Sequence, residues 1–330
     1  MQDTRSNARS GVFGAVFTVL TVVLVALALW RLQDIQDFLR LYSYTPPTEV
    51  ASLATTTSMS EKGRKLFYVN KPQLLQGPSF SGHCPVGAEK TVVLGCYKSN
   101  DNGIYLFHVT DERLQGVVEV TAAHEMLHAA YMRLSDREKA HVDALLDNYY
   151  KHSLSDPRIK ETIDAYRQSE PSELLNEMHS IFGTEIAKLP EGLERYYAQY
   201  FENRQAVVGM LQHYQAEFSG RQQKIASFDA RLATLKSALD AEQSNLKAMG
   251  TQLQTDKAKL ERLRSSGSAG EYNAAIDPYN RSVASYNGLL RQVQAKITEY
   301  NTLVESRNAI ALEQRQLMQS LSSTPIQKSP

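Results

Sequence analysis

The sequence has no excess of either charge and very little cysteine. Lysine plus arginine and aspartate plus glutamate each number 36, so the formal net charge of the 330-residue chain is zero. A balanced composition argues against a nucleic-acid partner, because polyanion binding needs a basic surplus. The only cysteines are Cys84 and Cys96, which is too few for a four-cysteine metal site.

Charged residues are also missing from one long stretch near the amino terminus. Residues 11–30 (GVFGAVFTVLTVVLVALALW) contain none, and a helix of that length can cross a bilayer. Together with the flanking charges, this predicts a signal anchor at 11–31, a cytoplasmic segment at 1–10 and an extracytoplasmic remainder. The alternative is a cleaved signal peptide, with Ala26-Leu27-Ala28 as the cleavage site and a secreted product.

The predicted export of the chain determines how the two cysteines are interpreted. An even, closely spaced pair in an exported chain predicts a disulfide between Cys84 and Cys96. The bridge would close a loop of about a dozen residues, for which the stabilisation is at most about 3 kcal/mol.

The order of local patterns predicts the domain organisation. Residues 32–65 contain Pro46-Pro47 and a Ser/Thr-rich run, which predicts a juxtamembrane linker. Two β-rich runs then flank a turn-rich segment and predict a hairpin, and helical periodicity dominates as far as residue 204. We therefore expect an α+β domain over 66–204, mostly helical with a small β-hairpin or sheet.

The last third of the chain carries heptads. Apolar residues recur every seven positions from Leu211 to Leu260. A second apolar set lies three residues after most of these positions, and the polar residues Arg221, Glu242 and Asp256 interrupt that second set. After a Ser/Gly break, a second run starts at Ile276 and includes Ile297. These runs predict an antiparallel coiled-coil hairpin over 205–322, able to bind a partner or self-associate, followed by a disordered tail at 323–330.

One stretch ahead of these heptads carries recognisable chemistry. His124-Glu125-Met126-Leu127-His128 lies in a run of good helix formers. Residues i and i+4 share a helix face, so both imidazoles can point at one metal ion. Two neutral nitrogen ligands beside a carboxylate are typical of zinc hydrolases, and the pattern predicts one Zn²⁺ with Glu125 as general base.

The third zinc ligand must come from elsewhere in the chain. Tyr131 and Leu134 stand where the metzincin extension would need Gly and His. The segment Asn176-Glu177-Met178-His179-Ser180 resembles the Asn-Glu-x-x-Ser segment of thermolysin-like gluzincins, which implies a zincin catalytic domain with Glu177 as third ligand. Ile181 departs from that motif, which continues with Asp, and the spacer from His128 is longer than usual.

Several other residues are alternatives for that position. Glu173 lies one turn earlier on the same predicted helix face and is either the ligand or a support for Glu177. Four further candidates lie within reach along the chain: His179, Glu185, Asp136 and His141.

Catalysis and substrate binding need further groups. A second donor normally helps to hold the oxyanion, and the candidates are Tyr131, His179, Tyr196 and Tyr197. The resemblance to zincins implies that an edge strand just before the metal helix pairs with the substrate backbone. That strand would be Ile104, Tyr105, Leu106, Phe107, His108 and Val109.

These observations predict a membrane-anchored zinc metallopeptidase that cleaves proteins or peptides outside the cytoplasm. One rival is a non-catalytic coiled-coil interaction protein on a degenerate zincin scaffold, although such a protein has no need for a base at Glu125. Another rival is a zinc amidase that acts on cell-wall material.

Overall fold

The structure is a computed structural model that describes Thr18, Thr21 and residues 31–85, 92–101 and 103–322. The chain divides into two compact units. One contains Met1–Tyr214 with Leu321–Pro330, and the other contains Gln215–Ser320.

The first unit is built mainly from helices with one small sheet between them. Its elements are, in chain order, α1 (Leu32–Tyr42), α2 (Thr48–Thr56), α3 (Glu61–Val69), β1 (Gln73–Leu75), α4 (Gly77–His83), β2 (Gly95–Lys98), β3 (Gly103–Phe107), a 3₁₀ turn (Glu112–Leu114), α5 (Val117–Met132), α6 (Asp136–His152), α7 (Pro157–Ser169), α8 (Leu174–Glu185), α9 (Glu191–Tyr197) and the start of α10 (Arg204–Ser265).

The sheet has three strands in the order β1-β3-β2. Strand β3 is central: it runs parallel to β1 and antiparallel to β2, and all five of its residues are buried. Strand β2 is an edge strand. A Cys84–Cys96 disulfide is present and joins β2 to the residue that ends α4.

Helix α5 runs through the centre of the core. Its sequence is apolar on most sides, which suits a helix surrounded by other elements rather than one on a surface. Helix α8 packs against it at close range: a Cβ on Gly183 would lie 2.3 Å from Leu127 Cδ1 and 2.8 Å from Tyr197 Cε1. The missing side chain therefore allows the two helices to approach.

The predicted fold class is corrected in two respects. The two β-rich runs form strands of only four and five residues, in a domain built mainly from helices. The sheet is mixed, with a parallel β1 that the hairpin pattern did not include. Helices α1 and α2 occupy the stretch predicted to be a linker, and Val50, Leu53 and Ala54 of α2 are buried in the core.

The predicted membrane anchor is corrected as well. No helix among the described residues is both long and apolar enough to cross a membrane. Segment 11–31 lies outside the described residues apart from Thr18, Thr21 and Arg31, and segments 1–10 and 323–330 lie outside them entirely. Within the part of the chain that the structure describes, the single-pass topology therefore has no support, and neither has the extracytoplasmic placement derived from it.

The second unit is a helical hairpin formed by the rest of α10 and by α11 (Ala269–Ser320). Ion pairs across it join early residues of one helix to late residues of the other, which defines an antiparallel arrangement. These pairs are Arg221–Glu313, Asp229–Arg307, Arg231–Glu299 and Glu242–Lys296.

Candidate metal centre

Helix α5 places two imidazoles side by side. The run from Val117 to Met132 contains no Pro or Gly, and Gly116 precedes it with φ 100°, a conformation that glycine adopts without strain. His124 and His128 are separated by one helical turn, and their ring centroids lie 4.7 Å apart. This proximity follows directly from the i, i+4 spacing.

Helix α8 supplies a carboxylate opposite these rings. Glu177 Oε2 lies 3.7 Å from His124 Nε2, and Oε1 lies 3.6 Å from His128 Nε2. One ligand atom from each of the three residues falls within 4.8 Å of the others, so the described chain contains a triad that could hold a metal ion.

The burial and the charge of the Glu177 carboxylate are those expected of a metal ligand. Its Oε2 atom is buried and makes no hydrogen bond. Burial by itself would raise the pKa of this carboxyl, but the imidazoles of His128 and His124 outweigh burial and hold the pKa below its usual value. An ionised oxygen without a partner is costly in a buried site, and a cation between the three side chains would satisfy it.

A second layer of polar groups orients His128. Its Nδ1 lies 3.0 Å from Asn176 Oδ1, and Asn176 donates through Nδ2 to Glu173 Oε2 at 3.3 Å. Because the amide oxygen is an acceptor, His128 donates to it through Nδ1, and this hydrogen bond orients the ring with Nε2 towards Glu177. Glu173 is thus connected to the site through Asn176 and is not part of the triad.

The remaining third-ligand alternatives are not members of the triad. His179 is completely buried, and its Nε2 lies 2.9 Å from the Tyr196 hydroxyl. Burial, followed by the nearby His128 and His124, lowers the pKa of His179 to about 3, so its ring is neutral. Glu185 forms an ion pair with Arg158 at 2.7 Å. Asp136 and His141 are exposed on α6 and lie outside the triad.

Glu125 lies beside the triad in a nearly closed environment, with 6% of its surface exposed. Burial raises the pKa of its carboxyl to about 7; His128 opposes this rise, and Glu177 adds to it. Strand β2 lies directly against it, since a Cβ on Gly95 would lie 2.9 Å from Glu125 Oε1 and 2.6 Å from Thr121 Cγ2. Gly95 therefore allows the strand to approach the carboxylate.

The three predicted tyrosine donors use their hydroxyls in other contacts. Tyr131 donates to Asp143 at 2.8 Å, Tyr197 donates to the backbone carbonyl of His179 at 2.7 Å, and the Tyr196 hydroxyl contacts the His179 ring. None of the three lines the cleft that contains the triad. These contacts assign Tyr196 and Tyr197 to the packing between α8 and α9, and Tyr131 to the packing of α5 against α6.

Tyr166 lies in the cleft instead. It projects from α7, lines the cleft and acts on Glu177 as a side-chain hydrogen-bond partner. The sequence offered no signal for it, because Tyr166 belongs to an ordinary amphipathic helix and its position beside Glu177 depends on how α7 and α8 pack.

The cleft has a volume of about 620 Å³ and is bounded on one side by the segment that contains β2. The predicted substrate strand, Ile104 to Val109, does not form this wall. Strand β3 ends at Phe107 and is paired on both sides, so the prediction of an edge strand there is wrong. The edge strand beside the triad is β2, which comes earlier in the chain.

No family model, curated protein or solved structure shows a significant match to this chain. Functional inference therefore depends on the geometry of the cleft.

Proposed function

We propose that this protein is a zinc-dependent metallopeptidase with a gluzincin-like ligand set. His124, His128 and Glu177 would hold one Zn²⁺, and Glu125 would act as general base. The observation that carries this proposal is the convergence of a distant carboxylate on the two histidines, with a second carboxylate next to them in the same cleft.

The donor set favours zinc over a hard cation. Two imidazole nitrogens and one carboxylate are typical ligands of catalytic zinc, whereas calcium and magnesium prefer oxygen donors alone. When bound, zinc supplies Lewis acidity, which makes a water molecule acidic near neutral pH and polarises a carbonyl group.

Glu125 is suited to move the proton. Its carboxylate adjoins the triad but is not one of its members, so it remains available to accept a proton from the attacking water. The same carboxyl group then delivers the proton to the leaving amine. Both transfers require a carboxylate that is held in place, and the close contact with the backbone at Gly95 restricts its movement.

Strand β2 is the element that we propose holds the substrate backbone. Phe107 donates its backbone N–H to the Leu94 carbonyl across the sheet at 2.7 Å. Because groups facing the partner alternate along an antiparallel strand, Gly95 and Tyr97 direct their backbone groups to the opposite side. No further strand pairs with that side among the described residues, although the Tyr97 backbone hydrogen-bonds the Glu125 carboxyl there, and an extended peptide can add along it as a further strand.

The experiment compares zinc content and casein cleavage for the full-length wild type, Glu125→Gln and Glu177→Ala. Removal of the base is expected to slow cleavage by about a hundredfold to ten-thousandfold while one zinc per chain remains bound. Removal of the third ligand is expected to remove zinc and activity together. Glu161→Gln and Glu161→Ala are matched controls, because Glu161 is exposed on α7 outside the cleft.

Two results would contradict the proposal. Full zinc retention by Glu177→Ala would reject the ligand assignment. Wild-type turnover by Glu125→Gln would reject the mechanism, whatever its zinc content.

A further inference from the structure

Helix α1 exposes much of the apolar surface of the domain. Five of the ten large apolar side chains that are exposed in the described parts of the chain belong to its 11 residues: Leu32, Ile35, Phe38, Leu39 and Tyr42. Phe38 is 64% exposed and Tyr42 is 81% exposed. Spacings of three and four residues place the five side chains on one side of the helix.

The opposite side of α1 is polar and is held against the domain. Asp37 is buried, and Arg133 Nη1 donates to both of its carboxylate oxygens at 2.9 Å. Lys65 Nζ lies 3.5 Å from the same carboxylate. Arg40 donates through Nε to the Val69 carbonyl oxygen at 2.8 Å. Polar groups therefore fix α1 to α3 and to the C-terminal end of α5.

This polarity is the reverse of that of an ordinary surface helix. A helix on a globular domain usually buries its apolar side and exposes its charges, because burial of apolar surface drives folding. In α1 the ion pair of Asp37 with Arg133 faces the domain, and the apolar side chains face outward. Exposed apolar side chains gathered in one place are typical of a surface that contacts another molecule.

The size of the apolar side argues against a protein partner, including a second copy of this chain. A helix of 11 residues is about 17 Å long and about 10 Å wide. One side of it cannot supply the roughly 800 Å² that each partner contributes to a stable protein interface. Its side chains also offer a single hydrogen-bonding group, the Tyr42 hydroxyl, whereas protein interfaces contain about one hydrogen bond per 100–200 Å².

A lipid surface fits the same features. Helices that lie at such a surface combine an apolar face with a charged opposite face. At about 17 Å, α1 is too short to cross a hydrocarbon core of about 30 Å, so it would lie in the plane of the surface. Residues 11–30, which directly precede α1 in the sequence, contain no charged side chain. The chain therefore enters α1 from a stretch that has no charge to oppose contact with lipid.

We propose that α1 binds the surface of a phospholipid layer and lies flat on it, with its apolar side among the headgroups and the upper acyl chains. This contact involves one surface and no crossing of the layer. The side chains that face the lipid are uncharged, so neutral phosphatidylcholine is sufficient for binding. The inference goes beyond the proposed function, since none of the five side chains lines the cleft that contains the triad.

The test locates single positions relative to the lipid. Leu39→Cys, Gln33→Cys and Glu161→Cys are each labelled with nitrobenzoxadiazole in the full-length chain, whose native cysteines are joined in a disulfide. The labelled proteins are mixed with phosphatidylcholine vesicles that carry a nitroxide quencher on the acyl chains. Quenching at Leu39 is expected to be at least about threefold stronger than at the other positions, because the apolar face of an interfacial helix lies about 5–10 Å inside the headgroup boundary.

The other two positions are controls. Gln33 is exposed on the same helix but lies one turn before Asp37, on the side that faces the domain. Glu161 is exposed on α7. Adding Ile35→Ser and Phe38→Ser to the labelled Leu39→Cys protein is expected to lower its quenching about threefold, to the level of these controls.

Several results would overturn the inference. Equal quenching at Leu39 and Gln33 would show that α1 turns no particular side towards the lipid, and no quenching at any position would show that it does not reach the lipid. Quenching at Leu39 that survives Ile35→Ser with Phe38→Ser would reject the apolar side as the contact. A blue shift of the Leu39 label that grows with protein concentration in the absence of vesicles would assign this side to a second copy. The peptidase is tested separately by zinc content and cleavage, so either proposal can fail alone.

Discussion

At the scale of single residues, side chains of the same type have very different surroundings in and around the site, even where they are near neighbours in the sequence. Glu177 lies opposite two imidazoles, whereas Glu173, four residues earlier, interacts with Asn176. Tyr166 lines the cleft, whereas Tyr131 donates to Asp143 on α6. Residue type therefore predicts candidate site residues. Only the contacts that each side chain makes show which of these candidates belong to the site.

Tyr166 gives the first prediction. Its hydroxyl is a hydrogen-bond partner of Glu177 in the cleft, so Tyr166→Phe is expected to lower kcat about tenfold to hundredfold with zinc content unchanged, because the Glu177 carboxylate loses a hydrogen bond that orients it. Steady-state kinetics with metal analysis measure both effects. Tyr196→Phe is the control, since its hydroxyl contacts His179 away from the cleft, and its kcat should remain within about twofold. Equal losses in the two variants would reject a specific role for Tyr166.

At the scale of elements, helix ends and helix contacts determine where the ligands lie. Helix α6 begins with a capping box in which Ser135 accepts from the Glu138 backbone and Glu138 accepts from the Ser135 backbone. Helix α8 reaches α5 through Gly183. The capping box and Gly183 are both short sequence features. The role of Gly183, however, is evident only when the surface that packs against it is known.

The contact at Gly183 gives a second prediction. In Gly183→Ala the new Cβ would overlap Leu127 and Tyr197, so α8 must move away from α5. We expect a loss of about 1–3 kcal/mol in unfolding free energy and weaker zinc binding, because Glu177 moves with its helix. Chemical denaturation and a zinc competition assay measure these quantities. Gly209→Ala in α10 is the control, where a Cβ meets nothing within 4 Å; a loss of stability there as large as in Gly183→Ala would reject the steric explanation.

The capping box gives a third prediction, which concerns pH. Hydrogen bonds from the Ser135 side chain and backbone lower the pKa of Glu138. Since a lowered folded-state pKa stabilises the fold only while the carboxyl is ionised, the contribution is present above the ordinary pKa and is lost as pH falls through the folded-state pKa. Glu138→Ala is expected to cost about 0.5 kcal/mol at neutral pH and much less at about pH 3.

The matched variant for this prediction is Glu138→Gln, which keeps a capping side chain but cannot titrate. Urea unfolding at both pH values should show a pH-dependent difference between wild type and Glu138→Ala. The difference between the two variants should not depend on pH. If the cost of Glu138→Ala does not change with pH, the ionised carboxylate stabilises the fold no more than the protonated form does.

The helical hairpin also shows which features the local sequence predicts and which depend on tertiary packing. Along α10 the partly buried positions coincide with the heptads, and they include the polar residues Arg221, Glu242 and Asp256. Glu242 pairs with Lys296 across the hairpin, which explains a polar residue in the seam. In α11 the seam passes through Val293 and Tyr300, while Ile297 is 39% exposed, so that part of the second run does not face the partner helix.

At the scale of the whole molecule, the chain divides into two compact units, and the triad belongs to the first. This predicts that zinc stabilises only one of them. At a free zinc concentration one hundred times the Kd, ligand binding adds about 2.7 kcal/mol to the unit that binds it. Scanning calorimetry of the full-length protein with zinc and with a chelator should show one transition that moves and one that does not.

Glu177→Ala is the control for that experiment, since both transitions should then be insensitive to zinc. A zinc shift that persists in this variant would indicate binding outside the triad. A hairpin transition that moves with zinc in the wild type would contradict the independence of the two units.

The sequence by itself determined the features that depend on near neighbours. Helical spacing puts His124 and His128 on one face, and heptad spacing defines the seam of α10. The Cys84–Cys96 disulfide also followed from pairing the only two cysteines. The tertiary structure decided which carboxylate among several faces the histidines, that β3 is central and β2 is the edge, and that Tyr166 lines the cleft. Each of these depends on which surfaces pack together across long sequence separations, and residue periodicity carries no information about that choice.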